Sequence, residues 1–434
     1  MSSYTCPECN QEITSWNWCK TCNSKRFQND FNNWTSGNDK IDKLIQDAQL
    51  NADSNREVIE WIPYDRFKDV KQIGRGGFGT IHYARWIDGY VNKWDIKNKK
   101  WERCDENREV ALKKFDNFVN FNDVLNEMTI HLKTRNEGAS IQFYGITQDP
   151  ETHSYMMVLQ YAADGNLREY LKINFNNINW EQKLYNLCNL SLHLMHIHEL
   201  DIVHQDFHPG NILSSNFKSH GTRISDFGLS KLIGTNPNNP EKKNIVGVLP
   251  YIAPEVLSGD EEYTKAADVY SFGIIVYEVV TGFPPYPDVP HDKDLAMKIC
   301  NGLRPKIPFH TPKLITRMIM RCWDAQVTHR PTFEELWNEL EKYLKDYYER
   351  RDRDSEILIQ IKKAEEFSAN QESTNTTTTT PLNYQTHPQA IYTSRLLNFS
   401  NLPKPKNEEN FERELEELTK SMSNLCPSNS DLFI

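Results

Sequence analysis

A chain of 434 residues, 38% apolar and 25% charged, is long enough for two or three domains and has the composition of a soluble globular protein. Its net charge of −10 and pI near 5.8 argue against whole-chain attraction to nucleic acid or to an anionic membrane surface, though not against a local basic patch. The best apolar run, Val269 to Phe283, carries Glu278, so neither a membrane span nor a nucleic-acid partner is expected. Nine cysteines, four of them clustered near the start, do not form a secreted disulfide pattern, and the polar N-terminus has no signal-peptide character. A reducing compartment is expected, cytoplasmic with the nucleus as the alternative.

Residues 1–27 hold Cys6-Pro-Glu-Cys9 and Cys19-Lys-Thr-Cys22, two CxxC pairs separated by nine residues. Such spacing brings four thiolates onto one tetrahedral zinc from two tight knuckles. The competing reading is redox chemistry, because Trp18 precedes the second pair; only seventeen residues come before it, too few for the strand and domain a redox motif needs. A zinc module this small would fold on its metal, and contact with a partner protein would be its role. Residues 28–60 are rich in Asn, Asp and Ser and read as a linker with at most a short helix near Ile41 to Leu50.

From Phe67 an alternating strand runs through Ile73 into Gly74-Arg-Gly76-Gly77-Phe78-Gly79. A second strand, Thr80 to Trp86, follows the glycines, so the loop is a hairpin able to fold backbone amides over phosphates; a dinucleotide-binding turn would lead into a helix. Asp88 to Asn107 reads as an extra hairpin whose Trp94 and Trp101 pack across the strands, the alternative being a docking surface. Val110-Ala111-Leu112-Lys113 is another strand; a buried lysine needs a partner, and Glu127 in the helical run Asp123 to Lys133 is the natural one. Two more strands lie between Phe143 and Tyr161, and Asn166 is suited to cap the next helix. Leu184 to Leu200 has the period of a buried helix, and its His193, His196 and His198 are expected to be solvated or capped.

His204 to Leu213, HQDFHPGNIL, places Asp206 and Asn211 five residues apart on one loop, with Asp226-Phe227-Gly228 downstream. Phosphoryl transfer needs a group to orient the attacking hydroxyl and two groups to hold metal, and Asp206, Asn211 and Asp226 are of the right kinds. Ala253-Pro254-Glu255, Asp268 to Gly273, Cys322-Trp323 and Arg330-Pro-Thr follow in order. After Leu344 a charged helix continues to about Glu366; the Thr-rich run Ser373 to Thr380 and the Pro- and Asn-rich sequence beyond cannot bury enough apolar surface, so residues 345–434 read as a charged helix and a largely disordered tail. Glu408 to Met422 has helical potential with Phe411, Leu415 and Leu418 on one face, and a transient solvated helix is expected there rather than a docked one.

These motifs, over about 67–344, resemble the eukaryotic protein kinases, and the CW…RPTF ending resembles the tyrosine-kinase-like group. The resemblance implies an α+β bilobal fold, with a small β-rich N-lobe and a larger helical C-lobe. Its activity would be transfer of the γ-phosphoryl group of Mg-ATP to a protein hydroxyl, serine or threonine in preference to tyrosine. Asp206 would orient the acceptor, Asn211 and Asp226 would hold magnesium, and Lys113 paired with Glu127 would fix the phosphates. ATP would lie under Ile73, Gly74, Gly76, Gly77, Phe78 and Gly79, with Ile81, Ala111 and Leu213 clamping the adenine, Leu159 as gatekeeper, and the backbone from Gln160 to Ala162 as hinge. Arg330 would pair with Glu255. Three departures stand out: His208 where Lys is usual and able to contact the γ-phosphate, Gly247-Val248 where a Thr is usual, and Gln205 where an Arg grips a phosphorylated loop. With only Ser230 and Thr235 as loop hydroxyls, control is expected through the N-terminal module or the tail. Two other classes stay open, a scaffold without catalysis and a zinc-mediated binding protein.

Overall fold

The computed structural model describes residues 5–13, 15, 17–76, 79–115, 121–135, 138–219, 221–232, 245–259, 261–349, 355–373 and 386–423. The chain forms two compact units, Met1–Ala163 with Arg223–Leu229, and Asp164–Thr222 with Ser230–Ile434. The first is sheet-rich and the second helical, as the α+β expectation requires.

The first unit opens with helices α1 (Lys20–Asp30) and α2 (Asp39–Asn51). Asn38 caps α2 by accepting the amides of Lys40 and Ile41, and Ile41, Ile45 and Ala48 form its buried stripe. The stretch expected as a linker is therefore packed structure. The short helix allowed near Ile41 to Leu50 is α2, and its i, i+4, i+7 apolar stripe is what seats it.

A six-stranded sheet follows, built from β1 (Glu60–Trp61), β2 (Phe67–Gly76), β3 (Gly79–Trp86), β6 (Arg108–Phe115), β7 (Phe143–Gln148) and β8 (Tyr155–Gln160), in which β4 (Tyr90–Asp95) and β5 (Lys100–Cys104) take no part. The order is β1-β7-β8-β6-β3-β2, with β1 parallel to β7 and every other pair antiparallel. Period-two alternation sends Val110 and Leu112 into a core with Phe67, Ala84, Trp86, Tyr144 and Val158, leaving Ala111 and Lys113 on the opposite face. Each such apolar side chain contributes roughly 1.5–3 kcal/mol on burial. Gly79 fits its place because a Cβ there would stand 2.0 Å from the Lys114 carbonyl oxygen. Helix α3 (Phe121–Thr134) buries Val124, Glu127, Met128 and Ile130.

The hairpin of β4 and β5 is the expected insertion, and Trp94 faces Trp101 across it with centroids 5.1 Å apart. Trp101 also stacks on Trp18 at 5.8 Å and on Phe27 at 4.6 Å. The hairpin is thus a docking surface, for the N-terminal module of the same chain. Cross-strand packing alone does not account for its tryptophans.

The second unit contains α4 (Leu167–Asn174), α5 (Trp180–Glu199), α6 (Pro254–Ser258), α7 (Lys265–Thr281), α8 (Lys293–Cys300), α9 (Lys313–Cys322), α10 (Phe333–Glu349), α11 (Glu356–Ser373) and α12 (Phe411–Ser423). Helix α7 is buried at every residue from Ala267 to Thr281, as befits a helix apolar on all sides, and α5 carries α10 along its length. No helix among the described residues is long and apolar enough to cross a membrane.

The tail expected to be disordered is packed over 386–423. The strand Arg395–Leu397 pairs antiparallel with Ile245–Gly247, Leu397 and Phe411 are buried, and α12 lies on α9, so its expected solvated character is corrected as well. A few apolar residues, with Leu397, Phe399 and Leu402 packed on one cluster around Leu249, Leu295 and Ile299, hold this segment, and composition averages them away. Residues 374–385, most of the Thr-rich run, lie outside the described residues.

Candidate active site

In the first unit Lys113, Glu127 and Asp226 converge. Lys113 donates to Glu127 Oε1 at 2.5 Å and to Asp226 Oδ1 at 3.0 Å. Lys113 and Glu127 are 5% and 1% exposed, so the lysine is held by two carboxylates out of water. Burial alone would lower the Lys113 ammonium, but the charges of Asp226 and Glu127 outweigh it and raise it above its ordinary value. Burial pushes the Glu127 carboxyl up to about 7 against the pull of Lys113, and the Asp226 charge adds to the rise. Asp226 adopts left-handed backbone (φ 62°), and Phe227 is fully buried with its ring edge-on to His131 at 4.9 Å. The sequence places a large apolar anchor, Phe227, beside a carboxylate, and the left-handed backbone at Asp226 turns the two apart.

The expected nucleotide-binding residues of this unit sit on neighbouring strands. Ile73, Gly74 and Gly76 lie on β2 and Gly79 and Ile81 on β3; Ala111 and Lys113 lie on β6, Gln160 ends β8, and Ala162 follows it. Ile81 pairs across the strands with Lys113, and Ala111 with Leu159. Gly77 and Phe78 lie outside the described residues. Also in this unit, the sulfurs of Cys6, Cys9, Cys19 and Cys22 all lie within 4.8 Å of one another, with Cys6 to Cys22 at 3.8 Å and Cys9 to Cys19 at 3.6 Å.

In the second unit the loop from His204 to Asn211 is tied from below. The carboxylate of Asp268, at the start of α7, accepts the His204 amide at 2.9 Å, the Gln205 amide at 3.3 Å, the Tyr263 hydroxyl at 2.8 Å and a bond from His198 Nε2 at 2.9 Å. Burial would raise this carboxyl, yet the hydrogen bond and charge of His198, with the charge and amide of His204, hold it below the usual carboxylate value. His198 is therefore a structural partner of the loop, where a solvated or capped histidine was expected. Its position i on one helix and that of Asp268 on another give no signal in sequence.

Gln205 takes left-handed backbone (φ 66°) above this anchor. Asn211 donates its amide to the Asp206 carbonyl at 2.9 Å and approaches Asp206 Oδ2 at 3.4 Å, so the two side chains are positioned together. His208 caps a short turn by accepting the Gly210 amide at Nδ1, which leaves its proton on Nε2. Nε2 lies 3.2 Å from the Ser394 hydroxyl, a partner no motif announced, and 3.6 Å from Asp206 Oδ1. Asn166 caps α4 by accepting the Glu169 amide, and Leu213 stands opposite it. Arg330 grips Glu255 through two bonds of 2.7 and 2.8 Å, the expected pair. Ser230 is 1% exposed and donates to the His204 carbonyl, so this loop hydroxyl is structural; Thr235 lies outside the described residues.

The first unit thus holds a lysine paired with a helix glutamate and an aspartate, and the second an aspartate beside an asparagine, residue types that phosphoryl transfer uses. Residues 67–340 match the family model described as protein tyrosine and serine/threonine kinase. The chain is similar to a protein of Acanthamoeba polyphaga mimivirus named as a serine/threonine-protein kinase/receptor (29% identical, over 67% of this chain and 16% of the relative). It is similar also to the tyrosine-protein kinase SPK-1 of Girardia tigrina (29%, over 70% and 56%) and to the "Probable serine/threonine-protein kinase pats1" of Dictyostelium discoideum (26%, over 70% and 9%). The matched part spans little more than half of the second relative and far less of the other two. The match over well more than half of its length places the chain in the protein tyrosine and serine/threonine kinase family.

Proposed function

We propose that the chain is a protein kinase that transfers the γ-phosphoryl group of Mg-ATP to a protein hydroxyl, serine or threonine in preference to tyrosine. The buried pair Lys113 and Glu127, with the half-buried Asp226 bonded to the same lysine, supports this reading, since a scaffold has no use for ionisable groups taken out of water at a cost of several kcal/mol per ion. Lys113 fixes the α- and β-phosphates, Asp206 orients the acceptor hydroxyl and takes its proton, and the glycine hairpin covers the triphosphate. The oxygen donors of Asp226 and Asn211 suit magnesium, a hard cation, which when bound neutralises charge on the phosphates. The relatives carry both specificities in their names, so the preference for serine or threonine rests on the family resemblance.

One structural zinc belongs to the same reading. A tetrahedral site with Zn–S near 2.3 Å has sulfurs about 3.8 Å apart, and the cysteine cluster matches that spacing. A protein partner, through the N-terminal module or the tail, completes it.

The test is phosphate transfer from Mg-ATP to a broad protein acceptor by the wild-type chain and by Asp206→Ala. Loss of the proton-accepting carboxylate is expected to cut turnover by about 10²–10⁴. Equal transfer by the two proteins would favour the scaffold.

A further inference from the structure

Residues 386–407 cross the second unit as an anchored strap. His387 donates its amide to the Pro287 carbonyl, and the Gln389 carbonyl accepts the His291 amide. Tyr392 donates to the Pro285 carbonyl at 2.8 Å, lies edge-on to His291, and takes the Arg168 guanidinium over its ring at 4.5 Å. Arg395 donates to the His291 carbonyl. Leu397, 4% exposed, enters an apolar socket of Leu249, Ile252, Leu257, Leu295 and Ile299. Further on, Lys406 donates to the Cys300 carbonyl and Asn407 binds Asp324.

Between the Tyr392 and Leu397 anchors stands Ser394. Its hydroxyl donates to Asp206 Oδ2 at 2.5 Å and accepts from His208 Nε2 at 3.2 Å. The strand that holds it pairs with Ile245–Gly247, and Gly247 matters here because a Cβ would lie 3.4 Å from Asp206 Oδ1 and 3.1 Å from Ile252. An alcohol is thereby placed within proton-transfer reach of the one carboxylate that phosphoryl transfer needs beside its acceptor.

We propose that Ser394 is a phosphoacceptor of the chain's own active site, delivered intramolecularly by the docked strap, and that its phosphorylation frees the groove for other substrates. The proposal rests on the reading of the chain as a protein kinase. In the step, Ser394 Oγ bonds to the γ-phosphorus of ATP, the bond from that phosphorus to the β–γ bridging oxygen breaks, and ADP leaves with the electron pair. The hydroxyl proton passes to Asp206 Oδ2. The product brings a charge of about −1.5 to −2 against the Asp206 carboxylate, and like-charge repulsion disfavours the docked strand.

The full-length chain is incubated with Mg-ATP and dephosphorylated casein, phosphosites are mapped by mass spectrometry, and the time course is followed over a wide range of enzyme concentrations. The expected result is phosphate on Ser394 at a rate per chain independent of concentration, preceding casein labelling. Ser394→Ala leaves the strap in place and is expected to slow casein transfer about tenfold, as for a groove open a tenth of the time. Adding Leu397→Asp, which empties the apolar socket, is expected to restore it. Prompt casein labelling with Ser394 unmodified overturns the proposal while the kinase reading stands, as does labelling of Ser394 at a rate proportional to concentration. Absence of label on both casein and Ser394 overturns the kinase reading and the proposal with it.

Discussion

Glu127 is an acid where its charge is costly, and its protonation links stability and function with opposite signs. Its carboxyl titrates near 7 in the folded chain and near 4.3 in an unfolded one, so the folded state binds the extra proton between those values. The stabilising share of that proton is fully present below the lower value and is lost as pH rises through about 7. Function runs the other way, because only the charged carboxylate holds Lys113 firmly. KM for ATP is expected to fall as pH rises from about 6 to about 8, and Glu127→Gln to give a high KM with no such inflection. Steady-state kinetics across that range check this, and an unchanged inflection in the variant would assign it to another group. The residues of this site were legible because each has a motif around it: Lys113 in its strand, Asp206 and Asn211 at fixed spacing, Asp226 before Phe-Gly. Ser394 was not legible. Nothing local distinguishes a serine in a Pro- and Asn-rich tail, and its meaning comes from a strand pairing about 150 residues away in sequence.

At the scale of elements, the N-terminal module and the β4–β5 hairpin share one aromatic stack of Trp18, Phe27 and Trp101, with the Arg26 guanidinium 4.7 Å from the Trp94 ring centroid. A module joined by a loose linker would unfold alone when its cysteines are replaced; a shared stack couples the two. Removing the metal is expected to loosen the hairpin as well, raising hydrogen exchange in β4 and β5, and elemental analysis of the full chain should find one zinc. No stoichiometric metal, or exchange in the hairpin unmoved by a chelator, would contradict this. Trp101→Ala is expected to cost on the order of 2 kcal/mol in denaturant unfolding, less than for a fully buried tryptophan. The strands and helix α5 were readable from periodicity, whereas α7, buried on all sides, shows only as an apolar run. The docking of the hairpin was not, since a Trp pair reads the same in sequence whether one face or two are covered.

For the whole molecule, the tail is part of the second unit over 386–423, and control is proposed to lie in that segment. Gln205 cannot grip a phosphate as an Arg would, Ser230 is spent on the His204 carbonyl, and the tail Ser394 hydroxyl is bonded to Asp206. A chain that presents its own alcohol to its own carboxylate should record its specificity on itself. Phosphoamino-acid analysis of the full-length chain after incubation with Mg-ATP is the most direct test. Phosphoserine as the dominant product, absent from Asp206→Ala, is the expected result; phosphotyrosine as the dominant product, or label no greater than in the variant, would contradict the account.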